Sequence, residues 1–248
     1  MSKGVVIVTG SSRGIGRACA LLAAERGYDV VVNYTANAAA AAEVVAAINA
    51  RGAQAVSVKG DIAEESDILG IFAAADRLGP LVGLIANAGV VSLSGRVETY
   101  TADRLHRIMN INVIGTILCA REAVKRMSTK HGGKGGAIVA ISSVAAVLGS
   151  PHEYVDYAAS KGAVDSFVIG LAKEVAMEGI RVNAVRPGMV TTDIHEASGD
   201  PARVERIRPT IPMQRIGDPE EIARAALWLL SEEASYCTGT FITASGGR

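Results

Sequence analysis

Seven short apolar runs, rich in β-branched residues and separated by longer stretches of helical periodicity, limit what this chain can fold into. The runs fall at residues 5–8, 30–32, 55–58, 81–86, 137–142, 181–185 and 240–243. The helical stretches fall at 14–26, 38–50, 65–78, 102–127, 155–177 and 219–230. Runs that are apolar on both faces suit a parallel sheet covered by helices. Strand–helix alternation gives βαβ units, whose crossovers are right-handed. The pattern predicts an α/β fold, a doubly wound and mostly seven-stranded parallel sheet with helices on both faces, as a single domain over residues 1–248. The alanine-rich stretch 35–50 has the look of low complexity, but Val44, Val45 and Ile48 give it an apolar stripe, so it reads as a covering helix.

Composition narrows the setting. A chain of 248 residues buries a substantial core, and 49% hydrophobic residues exclude a disordered one. The formal charge is zero, from 25 basic and 25 acidic residues, with no basic tail or stripe to suit nucleic acid or an anionic membrane. Cys19, Cys119 and Cys237 are widely spaced, and no C-x-x-C pair suggests zinc or a disulfide framework. No metal site is expected. The first four residues lead straight into an apolar strand, leaving no room for a signal peptide, and no apolar stretch is long enough to cross a bilayer. A reducing, cytoplasmic setting is the expectation.

The first strand runs into Thr9-Gly10-Ser11-Ser12-Arg13-Gly14-Ile15-Gly16. Glycines in such a turn permit positive φ and let a pyrophosphate approach closely. The helix opening near Gly14 points free N–H groups and its positive dipole end at phosphate. Alone, this is also an ordinary strand-to-helix turn; its place in the first βα unit favours a dinucleotide site. The second strand ends in Asn33-Tyr34-Thr35, with no acid to accept from a ribose 2′-hydroxyl. Asn33 and Thr35 can donate to a 2′-phosphate, and Arg13 can add a cation. NADP(H) is therefore the expected cofactor; NAD(H) stays open if Arg13 is only a solvated surface residue. Asp61, followed by Ile62, can accept from an adenine amino group, and Asn87-Ala88-Gly89 can pack beside the cofactor. Each of these two segments is equally readable as turn chemistry.

Tyr157 and Lys161 stand four residues apart, on one face of the predicted 155–177 helix. A Lys⁺ near a phenol stabilises the phenolate and lowers its pKa toward working pH. Such a tyrosine acts as acid toward a carbonyl or as base toward an alcohol. The spacing by itself recurs on many helices. Ser143, at the end of the fifth strand, adds a hydroxyl that can hydrogen-bond a substrate oxygen as charge develops there. Asn112 can bridge to Lys161 or to a water chain.

Taken in order, the glycine turn, Asn87-Ala88-Gly89, Asn112, Ser143, Tyr157-x-x-x-Lys161 and Pro187-Gly188 resemble the compact, single-domain form of the short-chain dehydrogenase/reductase family, over essentially the whole chain. The resemblance implies a Rossmann-type fold and a nicotinamide cofactor that exchanges hydride at C4 with a substrate carbon. It implies Tyr157 as the acid/base, and Lys161 as the group that tunes it and binds the nicotinamide ribose. Ser143 would position the reacting oxygen and Asn112 would complete a proton relay. Val190 and Thr192 would contact the nicotinamide end, and a homotetramer is expected by the same analogy. Overall similarity leans toward 3-oxoacyl carrier-protein reductases, with sugar or polyol dehydrogenases as the alternative. A non-catalytic NADP(H)-binding sensor or scaffold is the rival of another class, although it needs only the glycine-turn half.

Two features depart from the family pattern. Ala86 stands where many members carry another Asn. The Ser143-to-Tyr157 separation, fourteen positions, is one longer than the commonest, and the extra length falls in residues 149–156. That loop should border the substrate, so His152 and Tyr154 join Ser143 and Tyr157 as substrate candidates, a merely polar loop being the alternative. Tyr154 rivals Tyr157 in type but has Ala158 where a lysine partner would be; Ser142 rivals Ser143. Residues 188–214 form the long irregular stretch expected of a substrate lid. Its Arg203, Arg206 and Arg208 could meet a carrier phosphate or form a solvated face. His106, His131 and His195 are isolated and have no metal spacing.

Overall fold

The computed structural model describes residues 2–192 and 203–248; His195 and the rest of 193–202 lie outside the described residues. The seven strands are β1 (Val5–Val8), β2 (Asp29–Tyr34), β3 (Ala55–Lys59), β4 (Leu81–Ala86), β5 (Gly136–Ile141), β6 (Ile180–Pro187) and β7 (Phe241–Ala244). They form one sheet in the order β3-β2-β1-β4-β5-β6-β7, parallel at every pairing. Each predicted strand is present, to within two residues at either end.

Side chains that alternate along the strands feed two separate cores. Val6, Val8, Val30 and Val32 pack on one face with α1 (Gly14–Glu25), α2 (Ala38–Asn49) and α9 (Pro219–Leu230). Val5, Ile7 and Val31 pack on the other with α3 (Glu65–Leu78), α5 (Thr116–Met127) and α7 (Val155–Val175). Burial on both faces is why these strands read as continuous apolar runs.

The predicted helix 102–127 is interrupted. It comprises α4 (Ala102–Met109), a π-helical turn (Asn110–Gly115) and α5. Two shorter helices, α6 (Ala145–Leu148) and α8 (Arg203–Ile207), lie after β5 and in the predicted lid.

From β1 the chain winds outward to β3, then returns to β4 on the other side of β1 and winds outward again. The order reverses between β1 and β4, and the carboxyl ends there open a crevice. Thr9-Gly10, Asn87-Ala88-Gly89 and Ser142-Ser143 directly follow the ends of β1, β4 and β5, and Pro187-Gly188 spans the end of β6, which brings four separated motifs to one edge.

Candidate active site

A cleft of about 770 Å³ runs along this edge, from the glycine turn to Ser143 and Tyr157. Its glycine end is braced by side chains. Asn87 Nδ2 donates to the carbonyls of Thr9 and Gly10 at 2.9 and 3.1 Å, and Thr9 Oγ1 accepts from the backbone of Asn87 and Ala88. Gly10 has φ +62°, and a Cβ on Gly16 would sit 2.5 Å from Asn87 Nδ2, so both positions need glycine. Helix α1 starts with no side-chain cap and no acid in its first turn. Its leading N–H groups and dipole are thus left to an anion.

Ser12, Arg13, Ile15, Tyr34, Thr35, Asp61 and Ile62 line the same end. This cradle fits the phosphates and adenosine of a dinucleotide. Asn33 also borders the cleft, but its expected role as a phosphate donor is corrected. Its Oδ1 accepts from Gly10 N at 3.0 Å, and its Nδ2 donates to Gly60 O at 2.9 Å and Val58 O at 3.4 Å. The side chain is 1% exposed and ties the glycine turn to β3. Asp61 Oδ1 caps its own turn through Ala63 N.

At the far end Ala88, Gly89, Pro187, Gly188, Val190 and Thr192 line the cleft. Thr192 Cγ2 lies 3.2 Å from where a Cβ on Gly14 would be, so the segment after β6 closes onto the glycine turn. Tyr157 and Ser143 line the cleft together, and Ser143 Oγ accepts from Ala145 N at 3.1 Å. Ser142 Oγ instead donates to Asp165 at 2.6 Å, and Asp165 is held by Arg186 at 2.9 Å. Ser143 is therefore the serine that meets the phenol.

Lys161 is 4% exposed, and its Nζ donates to Ile141 O at 2.7 Å, 5.7 Å from the centre of the Tyr157 ring. Burial pushes its pKa down to about 8, against a favourable pull from Asp165. Desolvation raises the Tyr157 phenol above its ordinary value, offset in part by the Ser143 hydroxyl and the charge of Arg203. The expected lowering of Tyr157 by Lys161 is thus corrected: in this structure the phenol's enclosure outweighs its neighbours.

Asn112 is fully buried in the π turn and does not line the cleft. Its side chain accepts from Val90 N at 2.8 Å and donates to Val90 O at 2.9 Å and Ser160 Oγ at 3.0 Å. Asn112 Oδ1 and Lys161 Nζ lie 3.3 and 3.4 Å from the point a Cβ on Gly89 would occupy, so the two converge behind that glycine.

Of the loop candidates, Tyr154 lines the cleft and is buried. His152 does not line it; it occupies a left-handed turn position, φ +65°, and is exposed. Its expected contact with substrate is corrected accordingly. Glu153 lines the cleft instead and pairs with Arg203 at 3.0 Å and Arg206 at 2.9 Å, while Arg208 pairs with Glu205 at 2.6 Å. These arginines are engaged in ion pairs and do not form an open phosphate patch. Arg107, Leu148, Met189 and Arg248 also reach the cleft. They belong to no motif, and tertiary packing alone brings them there.

The family model for enoyl-(acyl carrier protein) reductase matches residues 10–248. The chain is 53% identical over 245 residues to an uncharacterized oxidoreductase of Escherichia coli K12, YgfF, covering 98% of this chain and 99% of that one. It is 38% identical over 250 residues to a 3-oxoacyl-[acyl-carrier-protein] reductase of Synechocystis, covering 98% and 96%. It is 37% identical over 243 residues to glucose 1-dehydrogenase 2 of Bacillus subtilis, covering 97% and 93%. A short chain dehydrogenase from Burkholderia cenocepacia, solved in complex with NADP, superposes with a TM-score of 0.92 at 31% identity, covering 99% and 98%. Likeness of this extent in both sequence and backbone means that the chain belongs to the short-chain dehydrogenase/reductase family, oxidoreductases acting on alcohol and carbonyl groups.

Proposed function

We propose that this oxidoreductase is an NADP(H)-preferring reductase of 3-oxoacyl thioesters, with Tyr157 as its general acid. The observation that carries the reading is that Tyr157, Ser143 and Lys161 line one wall of the cleft that begins at the glycine turn. Gly89, Pro187, Gly188, Val190 and Thr192 would hold the nicotinamide in that cleft, where it would supply hydride to the ketone carbon. Ser143 holds the ketone oxygen, and Tyr157 gives that oxygen its phenolic proton as negative charge builds there. The raised phenol stays protonated at neutral pH, which suits reduction. Lys161 favours the phenolate left behind and offers its ammonium to the nicotinamide ribose. Asn112, fixed behind Gly89, completes the path that returns a proton to Tyr157.

Gly10, Ser12, Gly14 and Gly16 would hold the pyrophosphate and Asp61 the adenine. The absence of an acid at the end of β2, with Tyr34, Thr35 and Arg13 lining that end, supports NADP(H) over NAD(H). The relative solved with NADP supports it as well.

Relatives at 37% and 38% identity are named for a sugar and for an acyl substrate, so identity does not choose between them. The cleft wall favours the acyl reading. Leu148, Pro151, Met189 and Ile207 give it an apolar side, and ion pairs to Arg203 and Arg206 occupy the Glu153 carboxylate that a polyol would want. Residues 188–214 would act as the lid over this single-domain scaffold. Three unpaired thiols support a reducing, cytoplasmic setting. None of the helices among the described residues is long and apolar enough to cross a membrane.

The test is a substrate panel followed by NADPH absorbance. An acetoacetyl thioester should turn over, and glucose or ribitol should not; comparable kcat/KM with NADPH and NADH would defeat the cofactor preference. Tyr157→Phe should abolish hydride transfer and leave the Kd for NADPH nearly unchanged. A variant that keeps most of its kcat would show that another group supplies the proton.

A further inference from the structure

Tyr154 stands at the N-cap of α7, three residues before Tyr157, and lines the same cleft. It is 3% exposed. Among the described residues, its phenol oxygen is the one buried side-chain polar atom without a hydrogen-bond partner. Buried polar groups are nearly always paired, because an unpaired one forfeits its hydration with nothing in return. An orphan hydroxyl on a cleft wall is therefore a group waiting for a ligand atom.

Its surroundings say which kind of atom. The Arg203 guanidinium lies 5.0 Å from the centre of the Tyr154 ring, and Glu153 holds it there through a 3.0 Å ion pair. A cation over the ring face holds the ring in place and leaves the hydroxyl as the polar end of the side chain. Glu153 is shared between Arg203 and Arg206, so its carboxylate is already engaged and does not compete for the Tyr154 hydroxyl. A phenol hydroxyl without a partner can donate to an acceptor such as a carbonyl oxygen. Leu148, Pro151, Met189 and Ile207, which line the same cleft, suit the carbon chain that would carry such an acceptor.

We propose that Tyr154 is a specificity-determining residue whose hydroxyl donates to a second, uncharged carbonyl oxygen of the substrate, distinct from the ketone oxygen that Tyr157 protonates. The site then selects ketones that carry a further acyl carbonyl, as a 3-oxo thioester does, over simple ketones. This inference rests on the reading of Tyr157 given above, and it explains why a buried hydroxyl is kept without a partner.

The experiment compares wild type and Tyr154→Phe, with NADPH, on acetoacetyl-N-acetylcysteamine and on 2-pentanone, together with the ligand-free Tm. Phenylalanine removes only the orphan hydroxyl. The expected result is an unchanged or higher Tm and a roughly three- to tenfold higher KM for the thioester, the loss of one neutral hydrogen bond. Its kcat and the kinetics on 2-pentanone should stay put. Equal losses on both ketones, or a Tm several degrees lower, would assign the hydroxyl a structural role and overturn the inference. So would unchanged thioester kinetics in the variant while wild type is active. A wild type inert toward the thioester would overturn the functional reading beneath it as well.

Discussion

Tyr157 and Lys161 are both pushed by burial toward their neutral forms, the phenol up from its ordinary value and the ammonium down to about 8. For Lys161 the consequence is a stability term that depends on pH. The unfolded side chain titrates near its ordinary 10.5. Between about 8 and 10.5 the unfolded state thus binds more protons than the folded one, and stability rises with pH through that window. Below pH 8 the burial penalty is fully present; near 10.5 it is largely gone. The stability difference between Lys161→Met and wild type should accordingly move in favour of wild type by roughly 3 kcal/mol between pH 7 and 10.5. Denaturant melts at the two pH values measure it, and a difference that does not change with pH would mean that the ammonium is well solvated. That these two residues and Ser143 share one cleft was legible in the sequence, from four-residue spacing and a strand end. Asn33 was misread because nothing in Asn33-Tyr34-Thr35 reveals that the amide faces the β3 backbone. His152 was misread because its left-handed turn is set by the path of the loop, and position 152 carries no glycine to announce it.

At the scale of elements, the π turn between α4 and α5 is the part of the fold that periodicity did not reveal. Residues 102–127 keep helical spacing throughout, and one wide turn changes the phase without breaking the apolar pattern. π turns of this kind are common at functional sites. Here the turn carries Asn112, whose amide clamps both backbone groups of Val90 and so fixes the strand exit that carries Asn87 and Gly89. Asn112→Ala would leave the Val90 N–H and the Val90 carbonyl without the partner that Asn112 provides, while Ser160 Oγ keeps its bond to the Tyr157 carbonyl. That should cost about 3 kcal/mol, lowering Tm by roughly 6–12 °C, and loosen cofactor binding through Gly89. Calorimetry with titration of NADPH checks both, and a variant with wild-type Tm would mean that water replaces the amide. The strands and the long helices were readable because burial on both faces writes itself into composition. The short α6 and α8 were only partly so, since four or five residues hold too few turns for a period.

On the scale of the whole molecule, the helices on one face of the sheet present more apolar surface than one chain needs. Helix α7 is apolar around much of its circumference: Ala158, Val164 and Val168 are buried, while Val155, Ala159 and Ile169 are exposed. A helix of that kind belongs in an interior. Beside it, α4 and the π turn expose Leu105, Met109 and Ile114. Gly162 and Gly170 have nothing within 4 Å of where a Cβ would point, so this side of α7 is smooth and open. Apolar, small-residue helix faces permit close approach of a second helix, and symmetric copies of one surface can cover each other. We therefore propose that α7 and the α4–π turn face pack against other copies, as the first contact of a homotetramer. Placing a charge there should be costly only in the assembly, because Ile169 is already 42% exposed within the chain. Ile169→Asp should therefore shift the species seen by light scattering from tetramer to a smaller form, with circular dichroism unchanged. A wild type that is monomeric at micromolar concentration, or a variant that stays tetrameric, would require a different surface, and the exposed apolar residues on α7 would then need another cover.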